Sequence, residues 1–298
     1  MQLAVLGVPT NSAGKKSGVA NAPCALRKAG LLRALGHSHP AFDKGDVAFA
    51  TPSTKRDPHS GIIAYGSLVS MVKQVRSSVG RILGEGGFPL VIGGDCPVLL
   101  GCLAASVDAF SKTGLLFVDG HEDAYPAHKS PTGEAADMEL GFALGLQVPP
   151  LLAKAIPTPL VDASMVCMLG LRDKEYLQNA NVASLDGTVA EFYSDSALRN
   201  SGSIKDLVRK AVDQLSFRAD RVWLHIDLDV LSTRSLPAVD YQQPGGLSWD
   251  QLEAIGRAAM SSGKIAGCNL TIYNPDLDWG RSAGRIVRCV EKILAAWR

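Results

Sequence analysis

The sequence predicts an α/β fold: a mainly parallel central sheet between two helical layers, three layers in all, folded as one domain over residues 1–298. Three observations carry that reading. Short apolar runs alternate with longer amphipathic stretches, the pattern of a parallel sheet covered by helices on both faces. The polar clusters begin where apolar runs end, at the carboxyl ends of buried strands, where open α/β sheets place their sites. Across 298 residues, 46% of them hydrophobic, no linker or compositional break appears, so one large core accommodates the chain.

Taken in order, Leu3 to Val8 is the first strand candidate. Ala41 to Ser60, rich in Pro, Asp, Ser and Lys, reads as a loop, either a cover for the site or a mobile surface connection. Ile62 to Leu83 repeats its apolar residues at helical spacing, and Phe88 to Ile92 is a second strand. Pro97 to Phe110 is helical, and Leu115 to Val118 and Met165 to Leu169 are strands. Ile204 to Leu215 is again amphipathic. Val222 to Ile226 and Ile265 to Ile272 complete the strands, and Trp249 to Ser261 and Ala283 to Trp297 complete the helices.

Three segments carry the chemistry: Gly93-Gly94-Asp95-Cys96, Asp119-Gly120-His121-Glu122-Asp123 and His225-Ile226-Asp227-Leu228-Asp229. Each follows directly on an apolar run. Bringing that many carboxylates together in a buried place is strongly unfavourable unless cations neutralise them. Asp119, His121 and Asp123 alternate, so an extended strand end would direct all three to one side. Carboxylates that bridge two divalent ions hold them close enough to activate one water between them. A lone Asp-x-Asp at a strand end is common without any metal, and Gly93-Gly94 by itself marks only a tight turn. Three such segments at three strand ends favour a two-metal hydrolase.

Beyond these segments, Gly7-Val8-Pro9, Gly18-Val19 and the run from Pro23 to Gly30 precede the first cluster. Ser130-Pro131-Thr132-Gly133 and Gly170-Leu171-Arg172-Asp173 lie in the middle, and Pro237-Ala238, Gly245-Gly246-Leu247-Ser248 and Asn274-Pro275 follow. On these residues the chain resembles, almost end to end, the ureohydrolases: arginase, agmatinase and formiminoglutamase. The resemblance implies an arginase-like fold and two manganese ions. One ion would be held by Cys96, Asp119, Asp123 and Asp227, the other by Asp119, His121, Asp227 and Asp229.

The departures from the family pattern are as informative as the matches. Cys96 stands where the family has histidine; a thiolate is softer than imidazole, so preference could drift from manganese towards zinc, iron or nickel. Cysteine is also commonly a buried apolar thiol, but the motif around Cys96 favours ligation. Ala136 stands where arginases carry a proton-shuttling histidine. Tyr125 and Glu134 replace asparagines that grip the amino-acid end of arginine, and Ile272 replaces the glutamate that pairs with the guanidinium. Losing that pairing removes most of the grip on a cationic group.

Such a site suits a less basic substrate. A hydroxyl on a guanidino nitrogen withdraws electrons, and Cys96 with the missing histidine is similar to one branch in particular, the hydroxyarginine hydrolases of D-cycloserine biosynthesis. The implied reaction converts Nω-hydroxy-L-arginine and water into L-ornithine and hydroxyurea. Asp123 would orient the attacking water, and Asp123, Glu122, His128 or a water would supply the proton for the leaving amine. Tyr125, Thr132, Glu134 and Glu175 are the substrate-binding candidates, Glu175 falling where arginases hold the α-amino group, though a solvated surface acid reads the same way. His225 and His128 are candidates for supporting the ligands from behind. Trp223 and Trp249 read as core. Tyr273 to Asp278 could line the pocket mouth or simply cap a turn.

A formal net charge of +1 gives no reason to expect nucleic acid or an anionic membrane as partner. No stretch approaches a bilayer span, and the opening apolar run is too short for a signal peptide, so a cytoplasmic location is expected. Six scattered cysteines read as reduced thiols. With little more than a last helix after Pro275, a monomer or weak homo-oligomer is expected. Three rivals stand beside the hydroxyarginine reading: hydrolysis of another guanidino or formimino compound (arginine, agmatine, guanidinobutyrate, formiminoglutamate), single-zinc amide hydrolysis, and a metal-binding family member without turnover.

Overall fold

Residues 2–298 are described by a computed structural model. Burial on both faces makes its strands. Along Leu3–Val8 (β1), Leu3 and Val5 enter one apolar core while Ala4, Leu6 and Val8 enter another across the sheet. Phe88–Gly93 (β3) and Thr113–Val118 (β4) divide in the same way. Fully burying one such aliphatic side chain is worth roughly 1.5–3 kcal/mol, so the two cores reinforce one strand alignment.

With Ala41–Asp46 (β2), Val166–Leu171 (β5), Glu191–Ser194 (β6), Arg221–Asp227 (β7) and Ile265–Thr271 (β8), the strands form one eight-stranded sheet in the order β2-β1-β3-β8-β7-β4-β5-β6. Every pairing is parallel, as the apolar runs predict. Helices Ala22–Lys28, Ile204–Ser216, Trp249–Met260 and Ala283–Leu294 cover one face, and Tyr65–Gly84 and Val98–Phe110 cover the other. Among the described residues, no helix is long and apolar enough to cross a membrane.

Two strands depart from the sequence reading. The stretch from Ala41 read as loop, yet its first six residues form β2, an edge strand paired only with β1. Its residues are mostly exposed and Asp43, Lys44 and Asp46 carry charge, a composition that protects sheet edges and hides the strand from an apolar search. Arg27 clasps it, donating to Asp43 and Asp46. The opposite edge strand, β6, is only half-buried and was likewise not anticipated. Ala64 sits in the left-handed region (φ 52°), so the first long helix begins at Tyr65 rather than at Ile62.

The strand order positions the site. The chain runs from β3 to β4 across a gap of two strands, which β7 and β8 fill much later. The carboxyl ends of β3, β8, β7 and β4 therefore lie side by side, with Asp227 in register with Thr271 and Val118 with Ile226.

Candidate metal centre

Close backbone packing builds the first corner. A Cβ on Gly94 would lie 2.0 Å from the Thr10 carbonyl oxygen, so only glycine lets the turn after β3 pass the amino-terminal loop. The Asp95 carboxylate accepts from the backbone amides of Ser12 (2.6 Å) and Cys96 (3.0 Å) and ties the two segments together. Burial pushes Asp95 up to about 6. Cys96 Sγ then points at Asp227 Oδ2, 2.6 Å away, and at Thr271 Oγ1, 3.1 Å away.

The second segment does not continue β4. The chain bends away after Val118, and Asp123 lies in the left-handed region at φ 45°, an arrangement that costs of order 1–3 kcal/mol and tends to occur at functional sites. The expected extended strand end is therefore replaced by a bend, because the Asp119 carboxylate accepts from the His121 backbone amide at 2.7 Å and folds the segment on itself. The three side chains still reach one place. His121 Nδ1 is 2.9 Å from Asp229 Oδ2 and 3.7 Å from Asp119 Oδ1. From β7, Asp227 Oδ1 accepts from the Asp229 amide at 2.6 Å, which sets the two carboxylates at a fixed offset.

Among the described residues, three sets of side chains offer ligand atoms within 4.8 Å of one another: Asp119, His121 and Asp229; Cys96, Asp119, Asp123 and Glu139; and Cys96, Asp119, His225 and Asp227. Asp119 Oδ2 and both oxygens of Glu139 are buried without a hydrogen-bond partner among the described residues. Orphaned buried oxygens of this kind, together with carboxylate, imidazole and thiol donors in one cluster, fit divalent cations.

Electrostatics agree with that fit. Burial, then the neighbouring carboxylates Asp229 and Asp119, hold the Asp227 carboxyl well above its usual range. Burial and Glu139 do the same to Asp123, and burial and Asp227 raise the Cys96 thiol. For His121, burial disfavours the charged ring, but Asp229 and Asp119 outweigh it and hold the imidazole well above its usual value. Asp119 moves the other way: despite burial, His121 and His225 keep it low.

Behind Asp119 stands a buried relay. The Trp223 indole Nε1 can only donate, and it donates to Asn269 Oδ1 at 2.8 Å. The Asn269 amide nitrogen therefore faces His225 Nδ1 at 2.6 Å and donates to it. His225 Nδ1 is thus the acceptor, and the ring proton sits on Nε2, 3.6 Å from Asp119 Oδ2. Phe117 stacks on the imidazole with centroids 4.7 Å apart and fixes its plane.

A cavity of about 330 Å³ opens above these groups. Cys96, His121, Asp123, Asp227 and Asp229 form its floor; Tyr125, Thr132, Ala136, Tyr176, Leu177, Tyr241 and Ile272 form much of its wall. Ile272 adopts φ 69°, strained for a β-branched residue, and is held there by its amide donating to the Gly94 carbonyl at 2.8 Å.

Not every residue singled out in the sequence reaches this cavity. The Glu122 carboxylate turns away and accepts from Ser184 Oγ and the Leu185 amide, a structural clasp that removes it from the proton-donor candidates. His128 is exposed in a different cleft beside Tyr65 and Leu151, out of reach of the donors. Glu175 is exposed on the helix Lys174–Asn179, whose Tyr176 and Leu177 line the cavity in its place. Glu134 is half-buried beside Tyr241, and burial raises it.

Conversely, sequence reasoning passed over Glu139, Tyr241 and Asn269. Glu139 had a legible signal: it is the one acid in the apolar run from Met138 to Leu146. Asn269 carried the same kind of signal as the one amide in the apolar run Ile265 to Ile272, whereas Tyr241 had none, since loop closure alone brings it in.

The Arginase family profile matches residues 1–295. Among curated proteins, the chain is similar to an arginase from Bacillus subtilis, 25% identical over 98% of this chain and 97% of the relative. Among solved structures, arginase from Bacillus caldovelox superposes with a TM-score of 0.86 at 23% identity, covering 98% of each chain. Formimidoylglutamase from Bacillus subtilis gives 0.74 at 17% identity, covering 99% of this chain and 87% of that one.

Proposed function

The chain belongs to the arginase family, and from that premise we propose that it is a metal-dependent hydrolase of a guanidino carbon–nitrogen bond whose substrate is Nω-hydroxy-L-arginine. The products are L-ornithine and hydroxyurea. The observation that carries this reading is the wall above the donors, where Ile272, only 4% exposed, and Ala136 stand in place of an acid and a base. A guanidinium against that surface loses water and gains no partner, whereas the less basic hydroxyguanidine enters neutral. Of the two acids of the wall, Asp137 accepts from Ser130 and Thr132, while Asp173 accepts from the Glu122 amide through Oδ2 and keeps a buried Oδ1 without a partner among the described residues.

In this reading Cys96, Asp119, Asp123 and Asp227 would hold one cation, and Asp119, His121, Asp227 and Asp229 would hold the other. Two manganese ions, when bound, supply Lewis acidity and bring the pKa of a water close to neutral. Asp123 orients the attacking water and takes its proton on a carboxylate oxygen. It returns a proton to the substrate's δ-nitrogen as the bond from that nitrogen to the guanidino carbon breaks, work that general acids commonly reward with about a hundredfold or more in rate. Tyr125 and Thr132 receive the amino-acid end, with Glu134 behind Tyr241 and Glu175 at the rim.

The test is turnover of Nω-hydroxy-L-arginine against L-arginine by manganese-loaded protein, with L-ornithine quantified as the common product. Ornithine from the hydroxylated substrate alone is expected. Ornithine from arginine at a comparable rate, or from neither, overturns the substrate assignment.

A further inference from the structure

Glu139 is the residue of the site that neither the family's ligand set nor the proposed reaction uses. It opens the short helix Glu139–Ala143, is 0% exposed, and among the described residues neither of its oxygens has a hydrogen-bond partner. One of those oxygens lies within 4.8 Å of ligand atoms on Cys96, Asp119 and Asp123. Its polar surroundings are therefore other acids and a thiol, and that thiol is already directed at Asp227 and Thr271. A carboxylate buried without donor or counter-ion is strongly unfavourable. A single proton shared between Glu139 and Asp123 would serve one oxygen of each, and would leave the second Glu139 oxygen unpaired and bring Asp119 and Asp227 no counter-charge. A cation satisfies the whole group at once.

We propose that Glu139 is itself a ligand of the cation on the Cys96 side of the site, acting there with Cys96, Asp119 and Asp123. The proposal rests on the two-cation reading above and deepens it. Its chemical consequence is selectivity. Cys96 introduces a soft donor, and softness favours zinc; an additional carboxylate surrounds that sulfur with hard oxygen and returns the preference towards manganese.

The experiment uses the full chain, stripped with a chelator and titrated with manganese chloride, with free manganese counted by electron paramagnetic resonance. The parent protein binds two ions. In Glu139→Gln, which keeps the side-chain volume, affinity at one of the two sites falls by more than about a hundredfold, beyond what loss of a residue that merely orients a ligand produces. In parallel, parent protein carrying ¹³C on its glutamate side-chain carboxyls is titrated with zinc chloride. All other ligands are Asp, Cys or His, so a single displaced glutamate resonance reports Glu139, and this measurement decides the matter alone should the variant fail to fold. A loss smaller than about a hundredfold in a folded variant, or no glutamate resonance that responds in a metal-loaded parent, overturns the proposal. A parent that binds fewer than two ions instead sinks the two-cation reading, and this proposal with it.

Discussion

The floor and the wall of the cavity are made from different kinds of chain. Among the donors, Asp119 follows directly on β4 and Asp227 ends β7, while Cys96 and Asp229 lie three and two residues past β3 and β7, and each of the four is at most 3% exposed. The sheet fixes Asp119 and Asp227, and short hydrogen-bonded turns built against it fix Cys96, His121 and Asp229. Wall residues such as Tyr176, Tyr241 and Gln242 lie on a short helix or on loops, and all three are exposed. The floor concentrates charge that only a cation relieves, while the wall is largely aromatic and aliphatic. Metal binding and substrate choice should therefore be separable by mutation.

The largest effect is expected on the floor. Asp227→Asn should remove at least one ion and lower turnover by at least about a hundredfold while circular dichroism shows an intact fold; metal analysis showing two ions and parent-like turnover would break the proposed bridging role. Next in size is the support behind the floor. His225→Phe keeps an aromatic ring against Phe117 but removes the Nε2 proton facing Asp119, and should weaken metal affinity by about 10–100-fold with little change in KM for substrate. A KM effect without a metal effect would place His225 on the wrong side of the comparison.

The wall should behave in the opposite way. Ile272→Glu restores an acid opposite the donors and removes a β-branched residue from φ 69°. It should shift kcat/KM towards L-arginine over the hydroxylated substrate by roughly tenfold or more, with the metal count unchanged. An unchanged ratio would show that Ile272 does not face the reacting group.

The smallest effect, read by thermal melting, sharpens the electrostatic side. In the metal-free protein, burial and neighbouring carboxylates hold Asp123, Glu139 and Asp227 above their ordinary values of 3.8 to 4.5. The folded protein then keeps protons that the unfolded chain has released, so its stability falls as pH rises above that range. His121, held high by Asp229 and Asp119 against the effect of burial, adds stability below its ordinary 6.5 that is lost as pH rises through its folded value. Asp119, held low, contributes stability that is already complete above 3.8 and does not reverse the trend. The stabilisation produced by adding manganese should accordingly grow from pH 5 to pH 8; a melting difference that shrinks over that interval would contradict a carboxylate-rich ligand set.

The sequence by itself determined the α/β class, the six interior strands and the three polar segments at their ends, because a strand buried on both faces must be apolar throughout and any polar residue at its end is conspicuous. It also marked Ala136 and Ile272 as departures, since these stand inside recognisable motifs. Only the tertiary structure decided the rest. The charged edge strand β2 had no apolar signature. Insertion of β7 and β8 between β3 and β4, a matter of topology rather than local pattern, sets Asp227 between Cys96 and Asp119. Glu122 is adjacent in sequence to two floor residues yet faces the opposite way, and Glu139, sixteen residues beyond Asp123, returns to the centre of the site. Burial and hydrogen bonding act through space, so they alone separate the acids that face the cavity from those that hold loops together.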